Sequence, residues 1–427
     1  MLLAVLTVFG VSLFSVSYPW DSYIPFTLAG SDIAIGATLL YAAARVGRLA
    51  LNPTSYAAGL LAVAVLFGGA INVLLDSAFD TTNFAINYVR VIALVFMVLL
   101  LPPLITRVGN ERFARATMWV VRVQCVLVLV DWAYPIQLGL FSPEAEELSR
   151  ASGLFVEPGW FGIWLGFSVF YLGQAQKNLK GRYLGVFDIA LIGTSVIIST
   201  GMRGVLMVGL AFAVLFVMDG RFRRSALSAV AIVIIVIFGV ERRFADANSL
   251  ARAARPNEVL APGVAGATWE YVRHGLTGFN PLAISDASAV EGIAASVRLV
   301  NIVLTDKPWG IGLGGVNIDQ VRSRYYDPNA AIVPAAKMMW VEALSAAGLP
   351  GFFILAFLII RMTMLRETRI MGIGFIIGGV LWFGTFDTMV WWHITLAAAL
   401  EGSTRELGTF SRAPGFPVDL PLRTSVS

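Results

Sequence analysis

Charge is what this sequence has least of. Asp, Glu, Lys and Arg make up only 14% of its 427 residues, whereas a soluble domain of this size carries about a quarter. That deficit excludes a soluble enzyme. Cysteine is reduced to Cys125, so neither a disulfide framework nor a cysteine metal site can be built. The two histidines, His274 and His393, fall in different regions, which argues against a histidine-held metal. A net charge of +4 without a basic cluster gives no surface for nucleic acid and fits positive loops beside a membrane. The first residues, Met1–Val16, are apolar without a basic leader or a small-residue cleavage site. They read as a retained first helix.

What is abundant is apolar sequence, 57% of the chain. Runs such as 91–101 and 226–240 carry no charge, and crossing a hydrocarbon core of about 30 Å takes about 20 such residues. They are too long and too uniform for barrel strands. The expected fold is therefore an all-α polytopic membrane protein of about twelve transmembrane helices. Nine spans lie in residues 1–240, at 1–17, 26–44, 55–75, 86–106, 113–136, 154–175, 183–200, 203–219 and 225–240. Three more lie in 338–402, at 340–361, 370–386 and 388–402, with a kink or tight turn at Phe386–Thr388.

Loop charges orient this chain. Arg45 and Arg48, Arg107 to Arg115, Lys177 to Arg182, Arg221 to Arg224, Arg361 to Arg369 and Arg405 to Arg423 fall in alternate connections. The opposite connections hold Asp21, Asp76, Asp80, Glu144, Glu146, Glu147 and Asp387. Basic loops stay in the cytoplasm, so both termini are expected there. The large segment 241–337 is then extracytoplasmic, and 403–427 is a cytoplasmic tail without stable structure. Within the large loop, 289–304 has helical spacing, with Val290, Ile293, Val297, Val300 and Leu304 on one side. It is expected to lie at the outer membrane surface.

Ionisable groups within spans cost roughly 2.5–3.5 kcal/mol each at the centre, so they are candidates for function. On this topology Arg90, Asp131, Arg150, Glu157, Arg203, Lys337 and Glu342 gather near the outer ends, and Arg122 and Asp188 lie closer to the cytoplasm. Taken one at a time, each is equally well a snorkelling or structural charge; together they suggest an outward-facing cavity for an anion. Guanidinium stays charged everywhere and offers a planar fork matched to phosphate oxygens. Paired carboxylates suited to magnesium are not evident, so a pyrophosphate held without a metal or other cofactor is expected.

Three pieces in order carry a resemblance. Arg150-Ala-Ser-Gly-Leu-Phe-Val-Glu-Pro-Gly-Trp-Phe-Gly162 leads into a span, and Ser199-Thr-Gly-Met-Arg-Gly204 opens a later one. Ser296-Val-Arg298 is followed by Asp306-Lys-Pro-Trp-Gly-Ile-Gly-Leu-Gly314 and Val341-Glu-Ala-Leu-Ser-Ala-Ala-Gly-Leu-Pro-Gly351. In order and spacing these are similar to the O-antigen ligase and O-antigen/exopolysaccharide polymerase superfamily, over residues 85–400 or so. Where that family often has histidine before its "Y-L-E" glutamate, this chain has Lys337, which tilts the resemblance toward polymerases.

The resemblance implies a GT-C-like membrane glycosyltransferase of the bacterial inner membrane, acting at its outer face. Its donor would be an oligosaccharide on undecaprenyl pyrophosphate, its acceptor a second lipid-linked unit, with flippase and chain-length regulator proteins as partners. Arg150, Arg203, Arg298 and Arg90 would bind the pyrophosphate, whose charge grows as it leaves. Glu157, Glu342 or a desolvated Lys337 would accept the hydroxyl proton. A ligase delivering glycan to a lipid A core or a protein is the alternative within the class. A lipid-linked sugar flippase or secondary transporter is the alternative outside it, although matched halves and a central cytoplasmic connection are lacking.

Other features read as structural. Gly310-Ile-Gly-Leu-Gly-Gly315 has no strand before it and no helix after it, so it is a turn closing the loop against the membrane domain. Trp391, Trp392 and His393 suggest an interfacial aromatic belt, and Gly68-Gly69 and the glycines of 372–379 close helix contacts. Met338 and Met339 suit packing, and His274 a loop. In a Cys125→Ala background, a cysteine placed in 241–336 should react with a membrane-impermeant maleimide on intact cells. Reaction only after the cytoplasm is opened would reverse the topology.

Overall fold

A computed structural model describes residues 1–12, 30–47, 49–76, 79, 81–133, 155, 158–199, 202–220, 222–227, 299–313, 338–381 and 388–410. Their regular structure is helical, with no strand among the described residues. The helices are α1 (Leu2–Ser12), α2 (Gly30–Arg45), α3 (Pro53–Leu75), α4 (Thr81–Val108), α5 (Asn110–Ala133) and α6 (Pro158–Leu179). They continue with α7 (Val186–Ser199), α8 (Met202–Met218), α9 (Met339–Met364), α10 (Arg369–Leu381) and α11 (Thr388–Phe410). The expected span 225–240 lies mostly outside the described residues, as do most of the segment 241–337 and the tail after Phe410.

Among the described residues, four helices are long and apolar enough to cross a membrane: residues 53–75, 84–108, 110–131 and 339–364. The helices at 2–12, 186–199, 203–218 and 369–381 are apolar but shorter. Leu60, Val63, Phe67 and Leu74 of α3, and Phe353, Phe357, Ile360 and Met364 of α9, are exposed. Apolar surface of that extent is at rest only in hydrocarbon, as in a membrane-embedded protein. Two helices have no outer face: every residue of 161–176 in α6 and of 389–401 in α11 is buried. A helix apolar on all sides belongs at the centre of a bundle.

This centre corrects one expectation. Trp391, Trp392 and His393 do not form an interfacial belt; all three are about 1% exposed. Trp392 meets Phe113 of α5 at 6.2 Å between ring centroids, and His393 meets Phe167 of α6 at 5.4 Å. The His393 Nδ1 is 2.8 Å from the Met389 carbonyl one turn back. The stripe expected on 289–304 also divides differently. Leu299, Ile302 and Val303 are buried, whereas Leu304 is 58% exposed.

Glycines set the spacing of neighbours. A Cβ on Gly162 of α6 would lie 2.2 Å from the Gly204 Cα of α8, and Gly166 and Gly173 meet Met207 and Leu215 in the same register. So α6 and α8 run parallel with their backbones touching. On α10, Gly374 and Gly378 receive Phe170 and Phe167 of α6, while Gly372 and Gly379 receive Thr363 and Trp340 of α9. Gly69 seats Phe84. These are the close contacts that small residues allow in membranes.

At the start of α3, the Asn52 side chain accepts the Ser55 N–H, the Ser55 hydroxyl accepts the Asn52 N–H, and Pro53 occupies the first turn. That reciprocal cap satisfies donors a helix leaves open. Further on, α4 runs through Pro102 and Pro103. Pro103 has no N–H for the Leu99 carbonyl four residues back, and the Ala50 N–H takes its place at 2.8 Å. The connection between α2 and α3 thereby completes α4.

The largest irregularity is in α9. Gly348 has φ 64° and ψ −161°, and Pro350 follows, so the helix breaks after its first ten residues. In an unbroken helix the Leu349 N–H would bond the Ser345 carbonyl. Here Leu349 donates to the Pro308 carbonyl (3.1 Å), and the Ser345 carbonyl accepts Ile311 (2.6 Å) and Gly312 (3.2 Å). A turn over 308–312 has replaced the missing helical bonds, each of which would cost about 1–3 kcal/mol if left open in the interior. Gly310, at φ 95°, and Gly348 are in contact. A Gly348→Ala substitution puts a Cβ 2.2 Å from the Pro308 carbonyl at a backbone conformation costing roughly 1–3 kcal/mol for other residues. It should lower the unfolding temperature in detergent markedly. Gly36→Ala in α2, where the added atom meets nothing within 4 Å, should leave it unchanged or raise it.

Candidate functional site

Helix directions decide which candidates share an end of the bundle. α3 and α9 are antiparallel, since Gly68 lies by Ala346 and Thr54 by Arg361. α10 turns back along α9 with Gly379 at Trp340, and α6 runs against α10 with Phe167 at Gly378. The end of α3 at Asp76 therefore lies at the same end as the starts of α6, α8 and α9. The starts of α2, α4 and α11 join them through Asp32, Phe84 and Thr388. Arg90, Arg203 and Glu342 all belong to this Asp76 end. Arg150, Glu157, Arg298 and Lys337 lie outside the described residues.

Arg90, on α4, forms an ion pair with Asp32 of α2 at 3.7 Å, and Asp32 also accepts the Thr388 hydroxyl of α11 at 3.2 Å. Three helix starts are tied by that carboxylate. The arginine side chain is 44% exposed and its pair with Asp32 lies at the surface of this end.

Arg203 occupies the first turn of α8 and is half-buried. Its neighbour Gly204 is the residue whose backbone touches Gly162. Two of the three motif pieces, 150–162 and 199–204, are thus joined at one point. Because α6 and α8 are parallel, their N-termini are side by side. The positive ends of two helix dipoles then add to the guanidinium.

Glu342 is in the first turn of α9 and half-buried, where a carboxylate suits the helix dipole. Val341 and Leu344 on either side of it pack with Leu299, Ile302, Val303 and Ile311 in a small apolar cluster separate from the main core. Met339 is fully buried in the main core. Of the third motif piece, the described residues 306–313 lie against 341–349. Lys307 donates from Nζ to Asp76 Oδ2 (2.9 Å) and Asn72 Oδ1 (3.1 Å). Asn72, 1% exposed, returns its Nδ2 to the Gly310 carbonyl at 3.0 Å.

Two further pairs of charges within helices neutralise each other. Arg122 of α5 donates from Nε to Asp188 Oδ1 of α7 at 2.6 Å, with its guanidinium over the Trp119 ring. The other Asp188 oxygen accepts the Gly185 N–H at the start of α7. Arg361, expected at the end of the span 340–361 and counted with the basic run that follows, lies in the last turn of α9 with its side chain only 13% exposed. It makes a two-pronged pair with Glu401 of α11, one prong at 2.9 Å, and its Nη1 also reaches the Thr54 hydroxyl at 3.1 Å. At this Arg361 end, three amides of α6 bind connections. Gln174 takes the Ile370 N–H and gives to the Arg366 carbonyl, and Asn178 gives to the Glu367 carbonyl. Gln176 takes the Tyr183 and Leu184 N–H groups and gives to Asp219. Sequence reasoning missed Glu401, Asn72 and these amides. The Gln174-Ala-Gln-Lys-Asn178 run at the end of an apolar span was the available signal.

No family model matches this chain, and neither curated proteins nor solved structures include a significant match.

The Arg361–Glu401 pair gives a clean separation of structural from functional charge. Glu401→Gln leaves a buried guanidinium without its counter-ion, which should cost about 3–5 kcal/mol. The Arg361→Met/Glu401→Leu double variant should regain most of that, read as unfolding temperature in detergent. A double variant no more stable than the single one would show that the pair does more than neutralise itself.

Proposed function

We propose that the protein is a polysaccharide polymerase of a bacterial inner membrane, a glycosyltransferase acting on lipid-pyrophosphate-linked repeat units at the outer face. In this reading the Asp76 end faces outward, about twelve spans cross the bilayer, and both termini are cytoplasmic. The observation that supports it best is the Gly162–Gly204 contact. It sets Arg203 beside two parallel helix N-termini, one of them the start of α6, which Glu157 immediately precedes in the sequence. Fixed positive dipoles and a guanidinium, facing no buried counter-charge of their own helices, suit a group whose negative charge grows during reaction.

The reaction needs one bond made and one broken. A sugar hydroxyl of the acceptor attacks the anomeric carbon of the donor, and the bond from that carbon to the diphosphate oxygen breaks. Undecaprenyl pyrophosphate leaves with the bonding electrons. Arg150, Arg203 and Arg298 are the groups proposed to hold it, with Arg90 at the rim, its charge shared with Asp32. The hydroxyl proton passes to Glu157 or Glu342, or to Lys337 if that amine is neutral.

A transporter reading draws on one observation, the interruption of α9, since secondary transporters bind substrate at broken helices. In this chain the break receives the 308–312 turn. Ligase and polymerase differ in acceptor alone.

Deleting the protein should remove long surface polysaccharide and leave single repeat units on a gel. Arg150→Ala, Arg203→Ala and Arg298→Ala should each fail to restore long chains by at least about tenfold, as loss of a transition-state contact worth about 1.4 kcal/mol or more requires. Unaltered chains with lipid-linked units accumulating inside would support a flippase. Wild-type chains from all three stable variants would sink the catalytic assignment.

A further inference from the structure

The turn that repairs α9 is held by more than the helix it repairs. Lys307 ends the helical residues 299–305, its own N–H bonding the Ile302 carbonyl at 3.0 Å. Its ammonium crosses to the end of α3, where Asp76 and the buried Asn72 receive it. The amide of Asn72 then reaches the Gly310 carbonyl and, on its own helix, the Gly68 carbonyl at 2.8 Å. Gly68 leaves the space for the Trp309 carbonyl, which would lie 2.4 Å from a Cβ there. One side-chain cation thus fastens the turn to α3, and the turn backbone fastens itself to α9. Both sides of Glu342 depend on this arrangement, because Val341 and Leu344 pack on Leu299, Ile302, Val303 and Ile311. Arg298 immediately precedes that packed segment.

We propose that Lys307 is a positioning residue: clamped by Asp76 and Asn72, it holds the 308–312 turn in the break of α9 and so fixes Glu342 against the segment that follows Arg298. Lys307 touches no reacting atom in this account; it sets the placement of Glu342, which does, and so the proposal rests on the polymerase reading. The pair is well suited to the task. Its side chains are only 15% and 24% exposed, so salt screens it weakly, and both partners of Lys307 come from one turn of α3. A cation is required, but not the lysine shape.

The test joins a local probe to a functional one in the full-length protein. In a Cys125→Ala background, Ile311→Cys places a thiol at a position 6% exposed in the wild type. Maleimide labelling of it in membranes reads the docking of the turn. Lys307→Met and Asp76→Asn should each raise the labelling rate about tenfold and, without the cysteine, cut long polysaccharide by a similar factor at unchanged protein level. Lys307→Arg should preserve both readouts, and the exchanged pair Lys307→Asp/Asp76→Lys should restore both relative to Lys307→Asp alone. Labelling that stays low in Lys307→Met overturns the clamp. Increased labelling with wild-type polysaccharide overturns the positioning role, as does lost polysaccharide with the turn still protected. If deletion of the whole protein leaves the polysaccharide intact, it is the polymerase reading that falls, and the labelling series still decides the clamp.

Discussion

A helix broken inside a membrane domain must find other partners for its backbone, and the bonds between Ser345, Leu349 and the 308–312 turn are where this protein meets that demand. Lipid offers no hydrogen bonds in exchange. The break in α9 and the docked turn are therefore one structure with two halves separated by about thirty residues. Gly348, Gly310 and Gly312 adopt positive φ, and Gly68 is open enough to admit a carbonyl. Asn72 and Asp76 then need to be where they are, at the end of α3 under the turn. The small apolar cluster around Val341 and Leu344 follows, and the position of Glu342 with it.

The charges carried by the helices differ in kind. Arg361 with Glu401, and Arg122 with Asp188, are matched within the helices that carry them, and each guanidinium has its carboxylate and a further contact. Such groups are neutralised before any ligand arrives. At the Asp76 end the pattern is looser. Arg90 pairs with Asp32 at 3.7 Å and stays 44% exposed, and Arg203 adjoins two helix starts whose dipoles reinforce its sign.

Much of the fold was legible because helical spans leave a long signal. The expected spans 55–75, 86–106, 113–136 and 340–361 correspond to α3, α4, α5 and α9 within a few residues. Glycine-rich stretches were legible as contact surfaces, and the glycine turn as a closure against the helices, because each has one simple steric use. Sidedness within the bundle was not legible. Trp391, Trp392 and His393 look interfacial by type and are central by packing, since α11 is covered on every side. Arg361 lies in a basic run that reads as a loop, yet α9 extends beyond it and Glu401 reaches it from a helix forty residues on. Partners that distant leave no local trace. The contact of Gly204, next to Arg203, with Gly162 was not legible either, since it joins helices about forty residues apart in the sequence.

The double proline in α4 has a last implication. Connections between helices ordinarily drift in length as proteins diverge, because water completes whatever backbone they leave open. The stretch joining α2 to α3 lacks that freedom. Ala50 fills a vacancy at Leu99 that Pro103 creates, and the Asn52 cap begins two residues later. Related chains that keep the proline pair should also keep the length of this connection, and those that lose the prolines should be released to vary it.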